Sequence, residues 1–204
     1  ILNMVYYAVK EGRCKGIFTT WDECLKHTKG YSGAIYKKFT TQEDAINFVY
    51  GEVKTADKEE VKINKDLYEF YVDGSYNPTT KTVGYGLVMI KNGKPIIRDI
   101  GTFINDPDAE SRNVTGEVKG SMKAMDIAVA NGFKEINIYY DYMGIEKWAT
   151  GEWKANKELT RSYQEMYKLR SKQVKINFVK VKAHTGNKWN EEADRLAKLG
   201  AGVE

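Results

Sequence analysis

From Leu67 onward the apolar pattern changes period twice, and the order of those changes restricts the fold more than any other feature of the chain. Runs at 67–73, 83–90 and 95–104 have strand length and strand composition, and Lys91–Lys94 reads KNGK, a turn that joins the second and third as a hairpin. Glu117 to Ala130 then places Val118, Met122, Met125 and Val129 at helical spacing and stops at Asn131–Gly132, a pair suited to a left-handed C-cap. KEINIYYD returns to a strand, a helix carries Ile145, Trp148 and Ala149, and a further helix covers about 157–172. VKINFVKV is the fifth strand, and Asn190–Leu199 is a closing helix with Gly200 just beyond it. Three strands followed by alternating helices and strands predict an α/β domain. Its centre is a mixed five-stranded sheet flanked by helices, with right-handed crossovers where strands run parallel.

The N-terminal part has a separate rhythm. FTTWDECL at Phe18–Leu25 and FTTQEDAI at Phe39–Ile46 each end a strand-like stretch on a Thr pair and continue into an acidic first turn. That arrangement starts a helix, with Glu23 or Glu43 reaching back to the cap. With two strand candidates in MVYYAVKEGRCKGIFTT and another in GAIYKKF, residues 1–50 read as a small ββαβα domain. Residues 51–66, GEVKTADKEEVKINKD, lose aromatics and alternate charges, as a solvated linker does. The larger domain occupies 67–204.

Composition sets the outer limits. Hydrophobic residues make up 42% and charged residues 29% of the 204, so a packed core is expected. No apolar run approaches the roughly 20 residues of a membrane span, and no basic-then-apolar leader opens the sequence; the expectation is a soluble, cytoplasmic protein. Cys14 and Cys24 fit neither a disulfide framework nor a C-x-x-C site and read as two free thiols. The net charge of +4 is thin, so contact with a polyanion must come from local clusters.

Four acids stand at element edges. Asp73 ends the first strand of the larger domain, with Gly74 turning the chain after it; Asp141 ends the fourth; Glu117 opens a helix and Asp194 lies in the last one. If the first and fourth strands are neighbours, Asp73 and Asp141 sit together at their C-terminal ends, where open α/β sheets bind ligands. Close carboxylates repel unless one takes a proton or a cation intervenes, and oxygen ligands without His or Cys select Mg²⁺ or Mn²⁺.

YVDGSYNP, GEVKGSMKAMDIA, IYYDYMGI and VKAHTGNKWNEEADRLA, in that order and spacing, resemble the signature of type 1 ribonuclease H over about 67–200. The resemblance implies that Asp73, Glu117, Asp141 and Asp194 hold two divalent ions, that His184 lies in a mobile loop and handles protons or product, and that RNA in RNA/DNA hybrids is cut to 5′-phosphate and 3′-hydroxyl ends. It also implies that Asn113 and Arg112, in ESRNVTGE, contact the nucleic acid; Arg112 and Val114 depart from the residues relatives carry there. The basic helix that some members insert after the fourth strand is missing from KWATGEWKANKELTRSYQEM.

YYAVKEGRCKGIFTTWDEC together with GYSGAIYKKFTTQEDA resembles the hybrid-binding domain found at the N-terminus of many type 1 ribonucleases H. By that resemblance Tyr7, Trp21 and Phe39 lie near the nucleic acid and Lys37 and Lys38 bind its backbone; double-stranded RNA is a second ligand of such a domain. The same aromatics also suit the core of so small a fold. A tether of this length raises the local substrate concentration for the catalytic domain of an expected monomer. Two other functions compete: a non-catalytic hybrid-binding protein with a vestigial metal site, and a nuclease or integrase of the same fold acting on DNA.

Overall fold

The computed structural model describes residues 4–50, 67–183 and 185–203; the expected linker at 51–66 and His184 lie outside them. The chain divides into two compact units, Ile1–Lys65 with Ile90–Asp99, and Asp66–Met89 with Ile100–Glu204.

The N-terminal elements follow the expected order: β1 (Tyr6–Glu11), β2 (Gly16–Phe18), α1 (Trp21–Thr28), β3 (Ile35–Phe39) and α2 (Gln42–Tyr50). β1 lies between β2 and β3 and pairs antiparallel with both. Thr20 starts α1 by accepting the Glu23 N–H at 3.3 Å. At α2, Thr41 accepts the Asp44 N–H at 3.3 Å and donates its hydroxyl to the Asp44 carboxylate at 2.7 Å. Asp44, three residues past Thr41, thus partners the cap, while the side chain of the expected Glu43 lies outside the described residues. Ala8, Val9, Ile17, Phe18 and Cys24 are fully buried, and both thiols are free.

Beyond residue 66, β4 (Leu67–Asn77), β5 (Thr82–Lys91) and β6 (Lys94–Ile104) are followed by a short 3-10 turn, Ala109–Ser111, and α3 (Asn113–Ala130). Then come β7 (Glu135–Tyr140), α4 (Gly144–Thr150), α5 (Glu158–Arg170), β8 (Lys175–Lys180) and α6 (Lys188–Ala201). Asn92 at φ 52° and Gly93 at φ 74° make the two-residue turn between β5 and β6, a geometry that twists with the strands it joins. The sheet order is β6-β5-β4-β7-β8; β4 pairs parallel with β7, and β7 with β8. β4 is the middle strand, and both α3 and α6 pack against it. Among the described residues no helix is long and apolar enough to cross a membrane.

Three boundaries differ from expectation. β4 runs through Asp73 and Gly74 to Asn77, so the carboxylate is mid-strand and Gly74 does not turn the chain. α3 begins at Asn113, which puts Glu117 in its second turn instead of its first. α6 passes through Gly200 and is capped by Gly202 at φ 70°. A Cβ on Gly200 would lie 2.4 Å from the Gly101 carbonyl oxygen, so that glycine serves close helix–sheet packing, not helix termination.

Candidate metal centre and nucleic-acid interface

The parallel register of β4 and β7 builds the centre. Leu67 pairs with Glu135 and Tyr71 with Tyr139; two residues farther along each chain stand Asp73 and Asp141. α3, lying across β4, delivers Glu117 to the same place. One carboxylate oxygen from each of Asp73, Glu117 and Asp141 lies within 4.8 Å of the others. Glu117 is 2% exposed and Asp73 7%, so water screens their repulsion poorly.

Backbone donors hold these groups. Glu117 Oε1 accepts N–H bonds from Asp141 at 3.0 Å and Tyr142 at 3.3 Å, and Asp73 Oδ1 accepts the Gly74 N–H at 2.7 Å. Burial, and then the charge of Asp141, push the Asp73 carboxyl up to about 7 against the pull of the Gly74 N–H. Burial also raises Glu117 well above the ordinary carboxylate range, reinforced by Asp141 and Asp73 and opposed by its two backbone bonds. A pocket made only of carboxylate oxygens, too crowded to ionise fully at neutral pH, fits a hard divalent cation.

Asp194 is not one of this group of three. It sits on α6 with its Oδ2 2.9 Å from Lys198 Nζ, one turn along the helix, yet its charge still raises Asp73. His184 falls outside the described residues. Beside it, Thr185 donates to the Lys182 carbonyl at 2.8 Å, Gly186 is left-handed at φ 83°, and Asn187 caps α6 by accepting the Trp189 and Asn190 N–H groups. Arg112 and Asn113 are both exposed at the start of α3, one turn before Glu117. Arg112 holds φ 52°, ψ −127°, a conformation costly for any residue with a side chain.

In the N-terminal unit the structure separates residues that the sequence reading grouped. The Trp21 ring lies 5.7 Å from Tyr7 and 6.0 Å from Tyr36. Register pairs Tyr7 with Lys38 and Val9 with Tyr36, so Tyr7, Tyr36 and Lys38 share one face of the sheet. Lys37 and Phe39 point to the other face, where Phe39 packs on Phe48 at 5.3 Å and Lys37 Nζ lies 5.4 Å from the Phe39 ring. Tyr36, 43% exposed like Trp21, is the aromatic the sequence reading missed. Two-residue alternation within IYKKF was the signal that could have found it.

The β4–β7 pair, with Asp73, Glu117 and Asp141 gathered beside it, defines an α/β domain with an acidic cluster that could hold a metal ion. A family model described as RNase H matches residues 64–202, and one described as Ribonuclease H1 N-terminal domain matches residues 5–49. The chain belongs to the ribonuclease H family and is a ribonuclease H, a hydrolase. Human Ribonuclease H1 is 24% identical over 256 residues, covering 97% of this chain and 89% of the human protein. The RNase H1 of the halophilic archaeon Halobacterium salinarum matches 68% of this chain and 99% of its own at TM-score 0.57 and 21% identity. LC11-RNase H1, solved in complex with an RNA/DNA hybrid, matches 67% of this chain and 97% of its own at TM-score 0.54 and 15% identity. These two likenesses establish the fold.

Proposed function

We propose that this protein is an endoribonuclease that hydrolyses the RNA strand of RNA/DNA hybrids with two divalent ions, Mg²⁺ or Mn²⁺, leaving 5′-phosphate and 3′-hydroxyl ends. The observation that carries the reading is the approach of Asp73, Glu117 and Asp141 to within 4.8 Å. Asp73, Glu117 and Asp141 would hold the ions, with Asp194 on α6, now paired with Lys198, as the fourth carboxylate. When bound, such ions supply Lewis acidity and charge neutralisation for in-line displacement at phosphorus. The protein's own part is placement. Two N–H bonds fix one oxygen of Glu117 and leave the other for a ligand, and the depth of the pocket keeps Asp73 away from bulk water. His184 carries an imidazole, the side-chain type suited to taking up or giving a proton on the product side.

Grip on the substrate divides between two places. Arg112 and Asn113, exposed one turn from Glu117, are placed to contact the duplex beside the scissile bond; Tyr7, Trp21, Tyr36 and Lys38 hold it through the N-terminal unit. Exposed rings pack on sugars or bases, and lysine displaces counterions from phosphate without reading sequence. This assigns residues 1–50 to binding and 67–204 to chemistry, with 51–66 as the tether of a monomer. The complex of LC11-RNase H1 with a hybrid supports the substrate assignment by fold.

The test is incubation of a labelled RNA/DNA hybrid and the matching DNA duplex with Mg²⁺. The expected result is cleavage of the RNA strand alone, with new 3′ ends that a DNA polymerase extends and loss of activity in Asp141→Asn. Cleavage of the DNA duplex, ends that cannot be extended, or full activity in Asp141→Asn would contradict it.

A further inference from the structure

Neither Gly74 nor Gly116 has a positive φ, so backbone conformation does not demand glycine at either position. Space does. A Cβ on Gly74 would lie 1.9 Å from the Asn113 carbonyl oxygen and 2.5 Å from the Glu117 nitrogen. A Cβ on Gly116 would lie 2.1 Å from the Gly84 carbonyl oxygen and 2.9 Å from the Gly74 Cα. Every one of these neighbours is backbone, so no side-chain rotation relieves the overlap; α3 itself must lift from β4, and for Gly116 also from Gly84 on β5. The closeness is local to this turn. At Gly120, one turn farther along α3, a Cβ would meet only Tyr85 and Val72 side-chain atoms at 3.4–3.5 Å, which is near-ordinary contact. Gly116 lies in the first turn of α3, where alanine is the better helix former, so helix propensity does not call for glycine there.

We propose that the Gly74–Gly116 contact is a positioning element that sets how deeply α3 seats on β4 and so keeps the Glu117 carboxylate in the ion pocket. Glu117 immediately follows Gly116 and is held on its far side by the Asp141 and Tyr142 N–H groups at 3.0 and 3.3 Å. It is thus fixed between the end of β7 and the seat of its own helix. Relieving contacts of 1.9–2.1 Å takes a shift of α3 on the order of an ångström, which stretches both bonds and withdraws the carboxylate from Asp73 and Asp141. The inference rests on the divalent-ion reading above and adds two residues that touch neither ion nor substrate.

The experiment compares wild type with Gly116→Ala, Gly74→Ala, Gly120→Ala and Gly200→Ala in the full chain. It reads the rise in melting temperature on adding Mn²⁺, and kcat and KM on an RNA/DNA hybrid. Gly116→Ala and Gly74→Ala are expected to lose most of the Mn²⁺-induced rise and at least about tenfold in kcat with KM within about twofold, the pattern of a misplaced group. Gly120→Ala keeps both readouts. Gly200→Ala, which forces a similar backbone overlap away from Glu117, melts lower but keeps its Mn²⁺-induced rise. An undiminished rise in Gly116→Ala, an equal loss in Gly200→Ala, or failure of both seam variants to fold would overturn the proposal. Absence of any Mn²⁺-induced rise in wild type would instead overturn the ion reading, and this inference with it.

Discussion

Asp73 and Asp141 each stand two residues beyond Tyr71 and Tyr139, a β4–β7 pair whose rings stack at 4.3 Å and 7°, and bring their carboxylate oxygens within 4.8 Å of one another. Parallel pairing in this register leaves the two carboxylates no way to diverge, and Glu117 closes the third side. Folding thus works against electrostatics at this point, as functional sites commonly do.

That opposition has a pH signature. Because Asp73 titrates in the folded protein at about 7, up from 3.8, the folded state holds its proton more tightly than the unfolded chain. The associated stability is fully present below the unfolded value and is lost as pH rises through the folded one. The ion-free protein should therefore melt progressively lower between pH 4 and 7. Asp73→Asn should remove much of that slope and raise stability at pH 8 by roughly 2–4 kcal/mol, while abolishing cleavage. Denaturant unfolding across this pH range checks it; an Asp73→Asn protein that keeps the slope would count against the account.

On the proposed ion reading, Lys198, 2.9 Å from Asp194, competes with a cation for that carboxylate. Lys198→Gln should free that carboxylate and tighten Mn²⁺ binding about two- to fivefold at low ionic strength, the modest scale of a partly exposed ion pair. Added salt should shrink the difference. Unchanged or weaker binding would indicate that Asp194 takes no part in the ion pocket.

The two sheet faces of the N-terminal unit should behave differently. Trp21→Ala should weaken hybrid binding about tenfold or more with little change in melting, as loss of a stacking platform does. Phe39→Ala should instead lower the melting temperature, since it removes the ring packed on Phe48. Lys38→Ala should reduce the slope of log affinity against log salt by about one, and Lys37→Ala by less. Equal effects for the two lysines would mean that both faces meet the nucleic acid.

The sequence was most readable where local chemistry decides structure. Thr20 and Thr41 marked the helix starts, strand periods gave the sheet, and strand order alone brought Asp73 beside Asp141. What escaped it depends on contacts between distant segments. Gly74 looked like a turn residue because the helix lying over it comes from forty residues farther along the chain. Gly200 looked like a cap for the same reason. Phe39 and the two lysines were grouped by the family resemblance, although adjacent strand residues face opposite ways. The Asp194–Lys198 pair, at helical i,i+4 spacing, was legible and was overlooked.

Calorimetric titration of Mn²⁺ near pH 6.5, in buffers that differ in ionisation enthalpy, addresses the electrostatic core of the account most directly. Divalent ions entering a pocket whose Asp73 carboxyl is pushed up to about 7, with Glu117 raised beside it, should expel protons on binding, so the heat should change with the buffer; Asp73→Asn should bind far more weakly and release fewer. Binding with no proton release, or equal binding by Asp73→Asn, would contradict the claim that crowded carboxylates make this site.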